Sequence, residues 1–108
     1  APVPEMAQRL GAPFLATWAA YADAKRRFEV GEFHATLEVL RAMLPGLERA
    51  PRMAAGVLVY VGSSLIELGD LEPAQGSLAQ ALERHPSAST RAAAYAGLAR
   101  IFAHRGEV

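Results

Sequence analysis

The chain has no cysteine, which removes disulfide frameworks and thiolate chemistry from consideration. It has no surplus of either charge, with Lys+Arg 11 against Asp+Glu 11. A nucleic-acid binder concentrates a basic surplus on one face. The densest basic cluster here is Lys25-Arg26-Arg27, and Glu29 follows it closely, as on a solvated helix face. No apolar run is long enough to cross a bilayer, and the basic start, apolar run and cleavage site of a signal peptide are missing. The opening Ala1-Pro2-Val3-Pro4 fits a mature terminus left by cleavage as well as a plain chain boundary. These absences lead to the expectation of a cytoplasmic protein that touches neither membrane nor nucleic acid directly.

Catalytic and metal signatures are also lacking. There is no G-x-S-x-G, no phosphate-cradling glycine loop and no H-E-x-x-H. His34, His85 and His104 are far apart, and none pairs with another His at helical ligand spacing. Ser63-Ser64 and Glu67 read as helix residues with no base beside them. The expectation is a protein that is not an enzyme and holds no cofactor or metal. Aromatics make up only 7% of the chain, and no strand-like alternation is sustained.

What is present is helix-forming sequence. Apolar residues make up 52% of the 108 positions, enough for one core. Alanine dominates that share, and Leu, Glu and Arg accompany it. The breakers then divide the chain. A short helix is expected from Pro4 to Leu10, ended by Gly11, and a long one from Pro13 to Val30, ended by Gly31. Others follow from Glu32 to about Leu44, before Pro45-Gly46, and from Arg52 to Leu68, before Gly69. Leu47–Pro51 is a connector with room for a helical turn. Asp70 is expected to cap a helix from Leu71 to about His85, with Pro73 in its first turn and Pro86 as its stop. Ser87 or Ser89 caps a last helix ending near Arg105. Four apolar stripes support these helices: Phe33, Leu37, Leu40, Leu44; Leu58, Val61, Leu65, Leu68; Leu71, Ala74, Leu78, Ala81, Leu82; and Tyr95, Leu98, Ala99, Phe102. Connections this short make successive helices antiparallel neighbours.

The glycines that end helices recur. Gly31-Glu32-Phe33, Gly69-Asp70-Leu71 and Gly106-Glu107-Val108 each follow a long helix, at spacings of 69 − 31 = 38 and 106 − 69 = 37. The middle unit runs Leu58, Val61-Gly62, Leu65, Gly69, Leu71, Ala74, Leu78, Ala81, Pro86. This pattern resembles the tetratricopeptide repeat. Its longer period is similar to the helical repeat regions of large bacterial regulators, the MalT-like activators among them. The resemblance implies an all-α fold of antiparallel helix–turn–helix repeats, stacked as a short tetratricopeptide-like superhelix. One domain would span 1–108, in units of about 13–50, 52–86 and an incomplete 89–108. Gly62 and Ala74 would be small so that two helices cross closely. Gly69 would make the left-handed turn, Ala81 would admit the next helix, and Pro86 would end the hairpin. The last unit lacks its second helix, so the chain is expected to be a fragment of a longer array or to be covered by another subunit. The first unit departs from the pattern: Asp23 and Arg27 fall at core positions, and Thr36 replaces the small alanine.

In such repeats the first helix of each unit lines a concave surface. The register carries Trp18, Tyr21, Lys25 and Phe28 to that surface in the first unit. It carries Gly56, Val59, Ser63 and Ile66 there in the second, and Ala93, Ala96, Arg100 and Ala103 in the third. The stripe of Phe14, Trp18, Tyr21 and Phe28 reads either as an aromatic anchor for a bound peptide or helix or as core on a rotated helix. The apolar helix 52–68 is either central in the bundle or open to a partner. The chain contains no asparagine, so the Lys/Arg/Asn set that clamps a peptide carboxylate in some members is not present. The implied function is a scaffold that binds a protein or peptide, within a larger bacterial regulatory or signalling protein. The alternatives are a sensor of a small molecule or signal peptide, and a homo-oligomerisation module.

Overall fold

The structure is a computed structural model, and it describes residues 12–106. The expected helix Pro4–Leu10 lies outside the described residues, as do Glu107 and Val108. The described residues form five α-helices and no strand: α1 (Ala12–Glu29), α2 (Phe33–Met43), α3 (Pro51–Glu67), α4 (Leu71–Glu83) and α5 (Ala88–His104). A 3-10 turn, Leu44–Leu47, follows α2 and contains Pro45-Gly46, the break expected to end that helix.

Consecutive helices pack together, α1 on α2 through to α4 on α5. Beyond these, only α1–α3 and α3–α5 touch. The result is two layers, with α1, α3 and α5 on one side and α2 and α4 on the other. The outer pair do not meet, so the array is tighter on the α1–α3–α5 side. It is elongated, 55 × 27 × 20 Å.

The two complete hairpin turns have the same construction. Gly31 and Gly69 have φ of 86° and 85°, a left-handed conformation that costs a residue with a Cβ about 1–2 kcal/mol. Around Gly69, its amide donates to the Ile66 carbonyl at 3.0 Å and the Asp70 amide to Leu65 at 2.9 Å. Around Gly31, its amide reaches Phe28 at 3.0 Å and the Glu32 amide reaches Arg27 at 2.9 Å. Both are the paired-bond helix ending that satisfies orphan carbonyls. Gly106 also has positive φ, 71°. α4 ends at Glu83; two residues on, His85 has φ 53°, and Pro86 follows.

Caps follow backbone conformation. Ser87 is extended (φ −62°, ψ 164°), and its Oγ accepts from the Thr90 amide at 3.3 Å. Asp70 does not provide the expected side-chain cap. Its ψ of 73° is outside the extended region, and its carboxylate makes no cap bond.

The core runs through the middle hairpin. Gly62 of α3 is buried where α4 crosses; a Cβ there would lie 2.7 Å from Leu78 Cγ and Cδ2 and 3.3 Å from the Ala74 carbonyl oxygen. Ala74, Leu78 and Ala81 have no exposed surface. Thr36 takes the alanine place in α2 and is also fully buried, its hydroxyl donating to the Glu32 carbonyl at 2.7 Å. Helix α3 is covered nearly all round, from Ala54 to Ile66. The buried face of α5 differs from the expected stripe. Ala94, Gly97 and Ile101 face the core, Leu98 and Phe102 are half-buried, and Tyr95 is 57% exposed. The reason is steric: a Cβ at Gly97 would lie 2.8 Å from Leu78 Cδ1, so the glycine lets α5 nest against α4 without moving that leucine. No described helix is long and apolar enough to cross a membrane.

Candidate functional site

The first helix of each unit contributes to one open groove on the α1–α3–α5 side. Two clefts compose it. The larger, about 570 Å³, has a wall of Phe14, Trp18 and Tyr21 from α1 and a floor of Leu47, Ala50 and Met53, with Arg52 at its edge. The smaller, about 400 Å³, is lined by Lys25 of α1, Val59, Tyr60 and Ser63 of α3, and Ser89 and Ala93 at the start of α5. Tyr21, Gly56 and Thr90 line both, which makes the groove continuous.

Gly56 opens the floor between α1 and α3. A Cβ there would fall 2.6 Å from the Tyr21 hydroxyl, so any larger residue displaces that ring. Tyr21 is the hinge of an aromatic chain, tilted against Trp18 and edge-to-face from Tyr60 onward. Its ring meets Trp18 at 6.3 Å and Tyr60 at 6.0 Å; Tyr60 meets Phe28 at 5.4 Å, and Phe28 meets Phe33 at 5.5 Å. Burial, and then the neighbouring Tyr60, push the Tyr21 phenol above its ordinary pKa. Lys25 Nζ sits 4.6 Å from the centre of the Tyr21 ring, held by the ring's negative face.

Trp18, Tyr21, Lys25, Val59 and Ser63 line the groove; Trp18 is 48% exposed, whereas Val59, at 7%, is a core residue that only edges the smaller cleft. Gly56 and Ala93, also expected there, line it too, whereas Phe28, Ile66 and Arg100 lie elsewhere. Phe28 turns into the aromatic chain against Phe33 and Tyr60 and forms part of the packing between helices. Ile66 is 5% exposed and belongs to the core, because Gly97 brings α5 down over it. Arg100 lies apart from the groove, paired with Glu67 at 3.0 Å beside Ala103 and His104. The aromatic stripe therefore divides, with Phe14 and Trp18 open to solvent and Tyr21 and Phe28 half-buried.

The charged pair at first-unit core positions stays at the surface. Asp23 accepts from Arg26 at 2.6 Å and from Arg27 at 2.8 Å, and Arg27 continues to Glu32 at 3.1 Å. Hydrogen bonds from Arg27 and then Arg26 hold the Asp23 carboxyl below its ordinary range. Sequence reasoning missed Arg52, Met53, Leu47 and Thr90. They come from helix ends and the connector, outside the concave register; Arg52, next to Pro51 at the start of α3, was the available signal. Among the described residues no group of His, Asp or Glu is arranged to hold a metal ion. Comparison of the chain with protein-family models, curated proteins and solved structures found no match. The class of the protein therefore rests on its own geometry, an all-α array of antiparallel helical hairpins with an open groove along one layer.

Proposed function

We propose that the chain is a tetratricopeptide-like scaffold that binds a protein or peptide segment along this groove, and that it has no catalytic role. The observation that carries the reading is the continuity of the two clefts across α1, α3 and α5. One extended or helical segment can engage all three helices, as in helix-in-groove recognition. The recurring glycine turns and the Gly62–Leu78 crossing support the family reading. By that resemblance the module belongs to a larger bacterial regulatory or signalling protein of the cytoplasm. The clefts are open to solvent along their length, which favours a macromolecular segment over the enclosed small-molecule pocket of a sensor.

The test is selection of peptides from a random display library on the chain, followed by titration of the enriched peptides. Binding is expected to fall at least tenfold in Trp18→Ala and in Ser63→Arg, which narrows the smaller cleft. Both variants should keep wild-type circular dichroism. Peptides that bind both variants as well as the wild type would overturn the assignment. So would a chain that sediments as a dimer burying this groove.

A further inference from the structure

The charge inside the groove is not that of the chain. Overall, acids and bases balance at 11 each. Yet among the described residues the only charged side chains lining the two clefts are Lys25 and Arg52, and no described carboxylate lines either. Every ion pair formed among the described residues lies elsewhere, on Arg26, Arg27 and Arg100. No described carboxylate therefore neutralises Lys25 or Arg52. Around these cations the groove presents hydroxyls, those of Tyr21, Ser63, Ser89 and Thr90, which can donate to an acceptor.

Building on the peptide-binding reading, we infer that the groove selects an acidic amphipathic protein segment, with bulky apolar side chains seated between Trp18 and Met53 and carboxylates facing Lys25 and Arg52. The apolar cleft supplies the anchor site, since large side chains in a desolvated pocket carry most of the energy of such contacts. The two cations supply selectivity and association rate, which is what complementary charge contributes at a partly wet interface. Nucleic acid fits the groove less well. Two cations neutralise few phosphates, so little counterion release would drive binding. Lys25 lies along an aromatic face that lines both clefts, which keeps its ammonium at the groove.

The experiment uses the same random-peptide display library on the full chain, then fluorescence titration of the most enriched peptide at low and high salt. The enriched peptides are expected to combine Asp or Glu with Leu, Phe or Trp. Lys25→Glu and Arg52→Glu are each expected to weaken binding about tenfold, and less at high salt, where exposed charges are screened. Arg41→Glu, an exposed position on α2 away from the groove, makes the same change in net charge and should leave affinity unchanged. Lys25→Gln provides the neutral step if the reversal perturbs folding, with a smaller loss. Neutral or basic peptides that depend on Trp18 but not on Lys25 or Arg52 would overturn the acidic partner while leaving the groove reading intact. Binding that is indifferent to Trp18 would overturn the groove itself. An oligothymidine that competes as well as the peptides would also overturn the inference.

Discussion

Leu78 of α4 occupies the space that Gly62 of α3 leaves, so closely that a Cβ at position 62 would lie 2.7 Å from two of its side-chain carbons. The same leucine meets Gly97 of α5 from the other side, where a Cβ would lie 2.8 Å from Cδ1. One side chain without exposed surface is thus clamped between two glycines on different helices. It locks the middle hairpin to the next helix.

Gly62→Ala is expected to destabilise the fold by about 1–2 kcal/mol, because overpacking of about 1–3 kcal/mol outweighs a helix-propensity gain of about 1. Relief requires Leu78 to move, and the Ala74 carbonyl backbone at 3.3 Å cannot withdraw cheaply. Gly97→Ala should cost less, since only a terminal methyl is crowded. In a double-mutant cycle measured by thermal or urea unfolding, Leu78→Ala should remove most of the Gly62→Ala penalty. A stabilised Gly62→Ala would show that the crossing is looser than described.

The turn glycine and a helix glycine should respond with opposite sign. Gly69→Ala places a side chain at φ 85° with no atom within 4 Å, so its loss of about 1–2 kcal/mol is purely conformational. Gly76 lies inside α4, exposed and equally uncrowded. There alanine should add up to about 1 kcal/mol. Chemical denaturation of the two variants checks both signs at once.

Trp18 and Phe28 look alike in the sequence but should separate experimentally. Trp18→Ala should lower stability by about 1 kcal/mol or less while removing peptide binding, because half of the ring is already in water. Phe28→Ala should cost about 2 kcal/mol or more, since it cuts the contacts to both Phe33 and Tyr60. Melting curves and peptide titrations on the two variants give the comparison.

Two groups should titrate outside their usual ranges. The Asp23 carboxyl is lowered by its arginine partners. Its contribution is therefore complete above the ordinary aspartate value of about 3.9 and fades as pH falls through the lower folded value. The Tyr21 phenol is raised. Its contribution is present below the ordinary tyrosine value of about 10 and is lost as pH rises through the higher folded value. Carbon NMR of Asp23 should show an acid-shifted midpoint. In an ultraviolet titration, Tyr21→Phe should remove the late alkaline phenol.

The fold was legible where side-chain size determines contact. Gly69, Gly62, Ala74 and Ala81 marked the hairpin by their smallness and Pro86 by closing it, and the positive φ values at the recurring glycines followed the spacing. Apolar periodicity was a weaker guide for α5. Its alanine-rich surface offers several stripes of similar hydropathy, and only the fit of Gly97 on Leu78 selects one. Asp70 shows a related limit, since a capping residue type does not cap when its backbone leaves the extended region. In the groove, the register brought Trp18, Tyr21, Lys25, Val59 and Ser63 together, but it carried Ile66 too far along α3, under α5. Arg52 and Thr90 were invisible to the register because they lie at helix starts.

The central claim is that one groove across α1, α3 and α5 receives the partner. The most direct measurement is an amide and indole NMR map of the chain titrated with the most enriched acidic peptide. The account predicts the largest shifts at the Trp18 indole, Lys25, Gly56, Ser63 and Thr90, with α2 and the outer face of α4 unmoved. Shifts centred on His34, Glu38, Gln80 or Glu83, with the Trp18 indole unchanged, would contradict it.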